Sequence, residues 1–224
     1  MVVATLAIII KSDVWTFKHL NVEIVKHLDI QMIVAITAYK GGVGKTTTAV
    51  HLAVRFSLAR KTLLLDGDVN RSVIQWNESG NFPFDVADID HADLEGFDHV
   101  VIDTAARPSS DDLLTLSANS DLIIIPTTPD ALALGTTVQI INDLPDVAYK
   151  VLLTIVPPRP SRAGSEAKQS LHKAEIPTFE TEIPRKVAFQ KAALAEKLVK
   201  DAKPQGRPAN QAYTELTQEV LNDL

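Results

Sequence analysis

Residues 33–50, IVAITAYKGGVGKTTTAV, run an aliphatic β-type segment into three closely spaced glycines and then into a helical pattern. Gly41, Gly42 and Gly44 let successive backbone N–H groups turn inward, and the helix that follows adds partial positive charge at its N-terminus. Strand, glycine turn and helix together form a cradle for phosphate oxygens. The common phosphate-loop pattern G-x-x-x-x-G-K-[ST] asks for a glycine five residues before Gly44. Tyr39 stands there instead, followed by Lys40, so the loop carries a second lysine besides Lys45.

The rest of the chain alternates short aliphatic runs with longer helical patterns, which predicts an α/β fold of the P-loop NTPase type. Its mostly parallel, twisted sheet is flanked by helices on both faces. Strands are expected at 33–39, 62–66, 99–103, 121–127 and 150–156, with a short one at 178–183. Several are near-continuous aliphatic runs, as strands buried on both faces should be. Helices are expected near 45–59, 70–79, 109–118, 131–143, 164–174, 186–200 and 209–223. Residues 32–224 read as one domain. Residues 1–31 read as a peripheral extension or an upstream start codon assigned too early.

Composition narrows the chemistry. The chain has no cysteine, which excludes disulfides, thiol catalysis and cysteine-ligated metals. The net charge of −6 is unevenly spread. Residues 150–210 hold twelve Lys/Arg against six Asp/Glu, a local excess of +6, so the remainder carries −12. No apolar run approaches a membrane span, and the opening MVVATLAIII lacks a basic flank, so the expected location is cytoplasmic.

Three segments carry the expected site. In the loop, Lys45 reaches β- and γ-phosphates, the Thr46 hydroxyl suits Mg²⁺, and Thr47 adds a contact to the α-phosphate. HVVIDTAA places Asp103 at the carboxyl end of an aliphatic run, where open α/β sheets bind ligands, and there it suits a water-mediated hold on Mg²⁺. LLLDGDVN places Asp66 and Asp68 two residues apart after another such run. One of them suits the metal's water shell and the other the orientation of an attacking water.

These segments together resemble the ParA/MinD family of deviant Walker-type ATPases, over about residues 32–224. KGGVGKT, residues 40–46, matches the family's K-G-G-x-G-K-[ST] loop at every fixed position. The resemblance implies ATP and Mg²⁺ as cofactors, with Lys40, Gly41, Gly42, Val43, Gly44, Lys45, Thr46 and Thr47 around the nucleotide. It makes Lys40 the lysine that crosses a nucleotide-sandwich homodimer to the partner's phosphates. It makes Asp68 the water-orienting carboxylate and Asp66 a metal-shell residue. The family's usual D-x-D-P-Q is altered here by Val69 and Asn70. IIIPTTPDALAL, residues 123–134, resembles the family's dimer-face segment, and the base is expected near Val156–Pro158 and Pro184.

Lack of cysteine argues against the iron–sulfur branches, an acidic C-terminal pattern against the membrane-binding branch, and only three tyrosines against the kinase branch. The remaining ParA branch includes plasmid-partition and carboxysome-positioning McdA-like proteins. It implies non-specific binding to double-stranded nucleoid DNA, a ParB-like or McdB-like adaptor that stimulates hydrolysis, and no membrane partner. Arg185, Lys186, Lys197, Lys200 and Arg207 are the expected DNA contacts; on one continuous helix, Lys186, Lys197 and Lys200 share a face. A small-molecule synthetase of the same fold, and a switch with negligible hydrolysis, are the competing readings.

Overall fold

The computed structural model describes residues 29–202, 204 and 206–224. Nearly all of the expected N-terminal extension therefore lies outside the described residues. Among the described residues six strands form one all-parallel sheet in the order β3-β2-β4-β1-β5-β6. They are β1 Met32–Ala38, β2 Thr62–Gly67, β3 Asp85–Asp88, β4 His99–Ala106, β5 Leu122–Thr127 and β6 Tyr149–Leu153. Among the described residues, seven helices cover its faces: α1 Lys45–Phe56, α2 Ser72–Gly80, α3 Ser110–Asn119, α4 Ala131–Asp143, α5 Ala163–Lys173, α6 Val187–Leu194 and α7 Arg207–Asp223.

The strand pleat explains the aliphatic runs. Met32, Val34 and Ile36 of β1 point into one core with Leu64, Val101, Ile124 and Leu152, covered by α1, α2 and α7. Ile33 and Ala35 point the other way, with Leu63, Val100, Ile123 and Leu153, under α3, α4 and α5. Every position along β1 and β5 is thus buried, so no polar alternation survives. Among the described residues no helix is long and apolar enough to cross a membrane.

Three sequence expectations are corrected. The edge strand β3, DVAD, is additional; it has too few apolar residues to show a strand signature. The expected strand at 178–183 is no regular strand: Thr178 makes an isolated bridge to Val151 of β6, and Pro184, just past it, makes another to Val156 beyond β6. Its middle is drawn off the ladder because Glu219 of α7 accepts from the Glu180 and Thr181 backbone N–H groups at 2.8 and 2.7 Å.

The expected helix at 186–200 breaks after Leu194. Glu196 adopts the left-handed region at φ 51, and Lys197 N–H bonds back to the Ala192 carbonyl at 2.8 Å, a Schellman-like stop usually built with glycine. A separate 3₁₀ turn follows at Val199–Asp201. The tip of α2 meets this break: a Cβ on Gly80 would lie 2.8 Å from the Glu196 carbonyl oxygen.

One polar side chain lies deep in the α1 core. His51 is 4% exposed, stacked on Tyr213 of α7 at 4.9 Å and 19°, with Phe189 of α6 and Trp76 of α2 meeting it edge-on. Its Nδ1 faces the Thr47 carbonyl at 2.8 Å, and its Nε2 accepts from the Val199 N–H at 3.3 Å. Those partners fix a neutral ring with the proton on Nδ1, and burial pushes its pKa down to about 4. Between pH 4 and 6.5 the unfolded chain binds a proton there that the folded chain refuses. Its contribution is therefore fully present above about pH 6.5 and is lost as pH falls, approaching about 3 kcal/mol by pH 4. Urea unfolding across that window should show wild type losing more stability than His51→Gln; equal losses would remove His51 from the pH dependence.

Candidate functional site

The site forms where β1, β2 and β4 end. Gly42 and Gly44 take positive φ, 75° and 89°, and Gly44 is the left-handed residue from which α1 departs. A side chain is disfavoured at both angles. Between them Val43 is buried, and its carbonyl accepts from the Thr154 hydroxyl at 2.7 Å. Thr154 sits just past β6 and also reaches the Thr127 carbonyl at 3.1 Å. This hydroxyl pins one loop carbonyl outward, which keeps neighbouring N–H groups free to face the cradle. Thr154 was not legible as a site residue, because no motif links it to a loop 111 positions earlier.

Behind the loop, the sheet register sets Asp103 directly beside both Asp66 of β2 and Ile36 of β1. Asp103 is fully buried, and neither carboxylate oxygen has a hydrogen bond of good geometry. Burial pushes its pKa up to about 7, against the pull of the Thr46 hydroxyl and the Lys45 ammonium. A buried carboxylate held this way, beside a hydroxyl and a lysine, suits a cation. Among the described residues no three acidic or imidazole side chains converge into an all-protein metal cage. Mg²⁺ fits such a site, since it is usually held by one or two carboxylates, water and substrate phosphates. Lys45 is itself mostly buried; desolvation lowers its pKa, opposed by Asp103 and Asp68.

The two carboxylates after β2 are placed differently. Asp66 is buried and accepts from the Asp68, Val73 and Ile74 backbone N–H groups at 3.1, 2.9 and 3.1 Å. It thereby caps α2 from outside the helix, a structural task that sequence spacing did not reveal. Asp68 is half-exposed and near enough to act on Lys45, and its Oδ1 accepts from both the backbone N–H and the side-chain amide of Asn70, at 2.9 and 2.8 Å. Asn70, standing where D-x-D-P-Q has its glutamine, thus keeps an amide at this position, and that amide orients the Asp68 carboxylate.

Lys40 points away from its own loop. Its Nζ lies 2.9 and 3.2 Å from the two oxygens of Asp130, the N-cap of α4. Thr128 donates to the same carboxylate at 2.5 Å, and these hydrogen bonds, Thr128 first, draw the Asp130 pKa down to about 2. Tyr39, the residue in the glycine's place, donates to Asp143 at the other end of α4 at 2.6 Å. Partial burial and that carboxylate raise its pKa to about 12.

The basic candidates are not on one helical face. Arg185 and Lys186 precede α6, Lys197 follows its break, Lys200 lies in the 3₁₀ turn, and Arg207 opens α7. Arg185, Lys197 and Arg207 are exposed, while Lys186 and Lys200 are half-buried. Val156 and Pro184, both expected near the base, are bridged to one another.

Thr154→Val keeps the shape of this side chain and removes its hydroxyl. Losing a hydrogen bond worth about 1 kcal/mol should weaken nucleotide binding roughly fivefold. Titration with a fluorescent nucleotide measures this, and unchanged affinity would mean the loop holds its shape unaided.

Residues 34–199 match the family model described as CobQ/CobB/MinD/ParA nucleotide binding domain. The chain is 34% identical over 174 residues to maintenance of carboxysome distribution protein A of Gloeobacter kilaueensis, covering 72% of this chain and 81% of that one. Its fold is similar to a plasmid partition protein of Borrelia burgdorferi bound to AMPPNP, with TM-score 0.64, 17% identity, and coverage of 86% and 99%. It is also similar to the septum site-determining protein MinD of Pyrococcus horikoshii complexed with Mg-ADP, with TM-score 0.62, 20% identity, and coverage of 84% and 95%. The glycine cradle, the paired lysines and the strand-end carboxylates thus stand in a chain that belongs to the CobQ/CobB/MinD/ParA nucleotide-binding family of P-loop ATPases, which work with ATP and Mg²⁺.

Proposed function

We propose that this chain is a positioning ATPase. Its ATP-bound homodimer binds nucleoid DNA without sequence preference, and an adaptor of the ParB or McdB kind stimulates hydrolysis to release it. The observation that carries the DNA reading is the pairing pattern of the basic segment. Lys150 and Lys168 are neutralised by Asp223 and Glu180 at 2.6 Å each. Among the described residues, Arg185, Lys186, Lys197, Lys200 and Arg207 are in no ion pair. Their charge is available to phosphates. The carboxysome-distribution relative supports a protein body as the cargo, with a DNA replicon as the second possibility.

Thr46 and Asp103 are the residues suited to hold Mg²⁺, which when bound neutralises charge on the β- and γ-phosphates. Lys45 stabilises the same oxygens from within the chain. Asp68, held by Asn70, orients the attacking water. Lys40 is kept in reserve: its pair with Asp130 is substantially exposed, and exposed pairs contribute only about 0–1 kcal/mol. A partner subunit's triphosphate outcompetes such a contact readily. Loss of the γ-phosphate then removes the reason for Lys40 to cross, and the joined basic surface comes apart.

Binding to arbitrary-sequence duplex DNA with ATP, ADP or no nucleotide, across a salt titration, tests this. ATP-dependent binding is expected, with log affinity falling by about 0.9 per phosphate neutralised for each unit of log salt. Binding independent of nucleotide, or no binding in any state, would overturn the nucleoid reading and favour a small-molecule enzyme of the same fold. Asp68→Ala should slow hydrolysis by roughly 10²-fold or more while leaving ATP bound. Steady-state phosphate release measures that loss, and a normal rate would remove Asp68 from the chemistry.

A further inference from the structure

We propose that His51 is a positioning residue that carries the occupancy of the phosphate loop to the turn bearing Lys197 and Lys200. The importance of that turn rests on the DNA reading above; the mechanical link does not.

The geometry has two ends and a fixed middle. At one end, Thr47 belongs to the first turn of α1, whose N–H groups have no partner within the helix. Its carbonyl faces down the helix onto His51 Nδ1 at 2.8 Å. At the other end, His51 Nε2 accepts the Val199 N–H across 148 residues of sequence. Val199 is fully buried, and its carbonyl abuts Gly206, where a Cβ would come within 1.9 Å. The turn is thus tethered at two points: its N–H donates to the ring, and its carbonyl accepts from the Ala202 N–H and packs against Gly206 just before α7. Lys197 and Lys200 flank Val199 and move with it.

In the middle, the ring has little freedom. Tyr213 stacks on one face, and Phe189 and Trp76 meet its edges at 5.6 and 6.4 Å. Tyr213 is tied back to α1 by the contact between its hydroxyl and that of Thr48 at 3.2 Å. An aromatic clamp of this kind transmits small displacements because close-packed side chains have few alternative arrangements. A second, independent contact reaches the same turn. α2 is capped by Asp66 beside the catalytic carboxylates and ends at Gly80, packed against the Glu196 carbonyl. Both the phosphate loop and the carboxylate loop thus terminate mechanically on residues 196–199.

Nucleotide that takes the N–H groups of the first turn of α1 fixes Thr47, and His51 then holds Val199 more firmly. The probe is amide hydrogen exchange of the segment 195–202, with no nucleotide, Mg-ADP or Mg-AMPPNP, in the absence of DNA. In the full wild-type chain either nucleotide should slow exchange of the Val199 amide by about threefold or more. Protection by Mg-ADP separates this effect from burial in an ATP-driven dimer. His51→Phe keeps the ring packing and loses both hydrogen bonds, so the nucleotide-dependent difference should vanish. His51→Gln, whose amide oxygen reaches toward the Nε2 position, should restore part of it. The proposal is overturned if His51→Phe shows the wild-type difference. It is overturned equally if nucleotide-saturated wild type shows none, an arm that needs no variant to fold. Failure of DNA binding would leave this result untouched.

Discussion

The phosphate loop imposes the constraint on which the other parts depend. Two residues of the turn sit at φ values open to glycine, the carbonyl between them must face away from the ligand, and the helix must start at once. A turn so specified needs a rigid base. It gets one because β1 lies in the middle of a sheet buried on both faces, with β4 on one side and β5 on the other. Thr154 then locks the turn from the far side, one strand beyond β5.

The charges around that turn are sorted by environment rather than by sequence motif. Asp103 and Asp68 act on Lys45 and Asp66 lies beside Asp103, yet the three aspartates differ in what they touch. Asp66 spends its oxygens on backbone N–H groups and holds α2 in place. Asp103 is buried without such bonds, which leaves it suited to a cation. Asp68 is half-exposed and aimed by Asn70, the arrangement expected of a group that must meet water. Lys40 stands outside this cluster, paired on its own chain with Asp130. In the proposed reading, where Lys40 serves another subunit's phosphates, Asp130 is its resting place.

The parallel core and the loop were legible in the sequence because each leaves a local signature: five aliphatic runs, and a glycine–lysine pattern at fixed spacing. Most of the misses share a cause, which is distance along the chain. Nothing near residues 178–183 announces that Glu219 will take two of their N–H groups. Nothing in 186–200 marks a helix break, because the stop uses Glu196 in place of glycine and is matched by Gly80 from another helix. β3 went unseen for the opposite reason: four residues, half of them acidic, carry too little pattern. Asp130, Thr154 and His51 acquire their roles only from partners 90, 111 and 148 positions away. The lysine placement that assumed a continuous helix fails with that helix, although the unpaired basic residues themselves remain.

The claim that ties loop, dimer and basic surface together is that Lys40 leaves Asp130 to act on the other subunit. Sedimentation velocity with and without Mg-ATP tests it most directly, on wild type and Lys40→Ala side by side. The account predicts that wild type shifts from monomer to dimer with ATP and that Lys40→Ala binds ATP yet stays monomeric. A Lys40→Ala chain that dimerises with ATP as wild type does would contradict it.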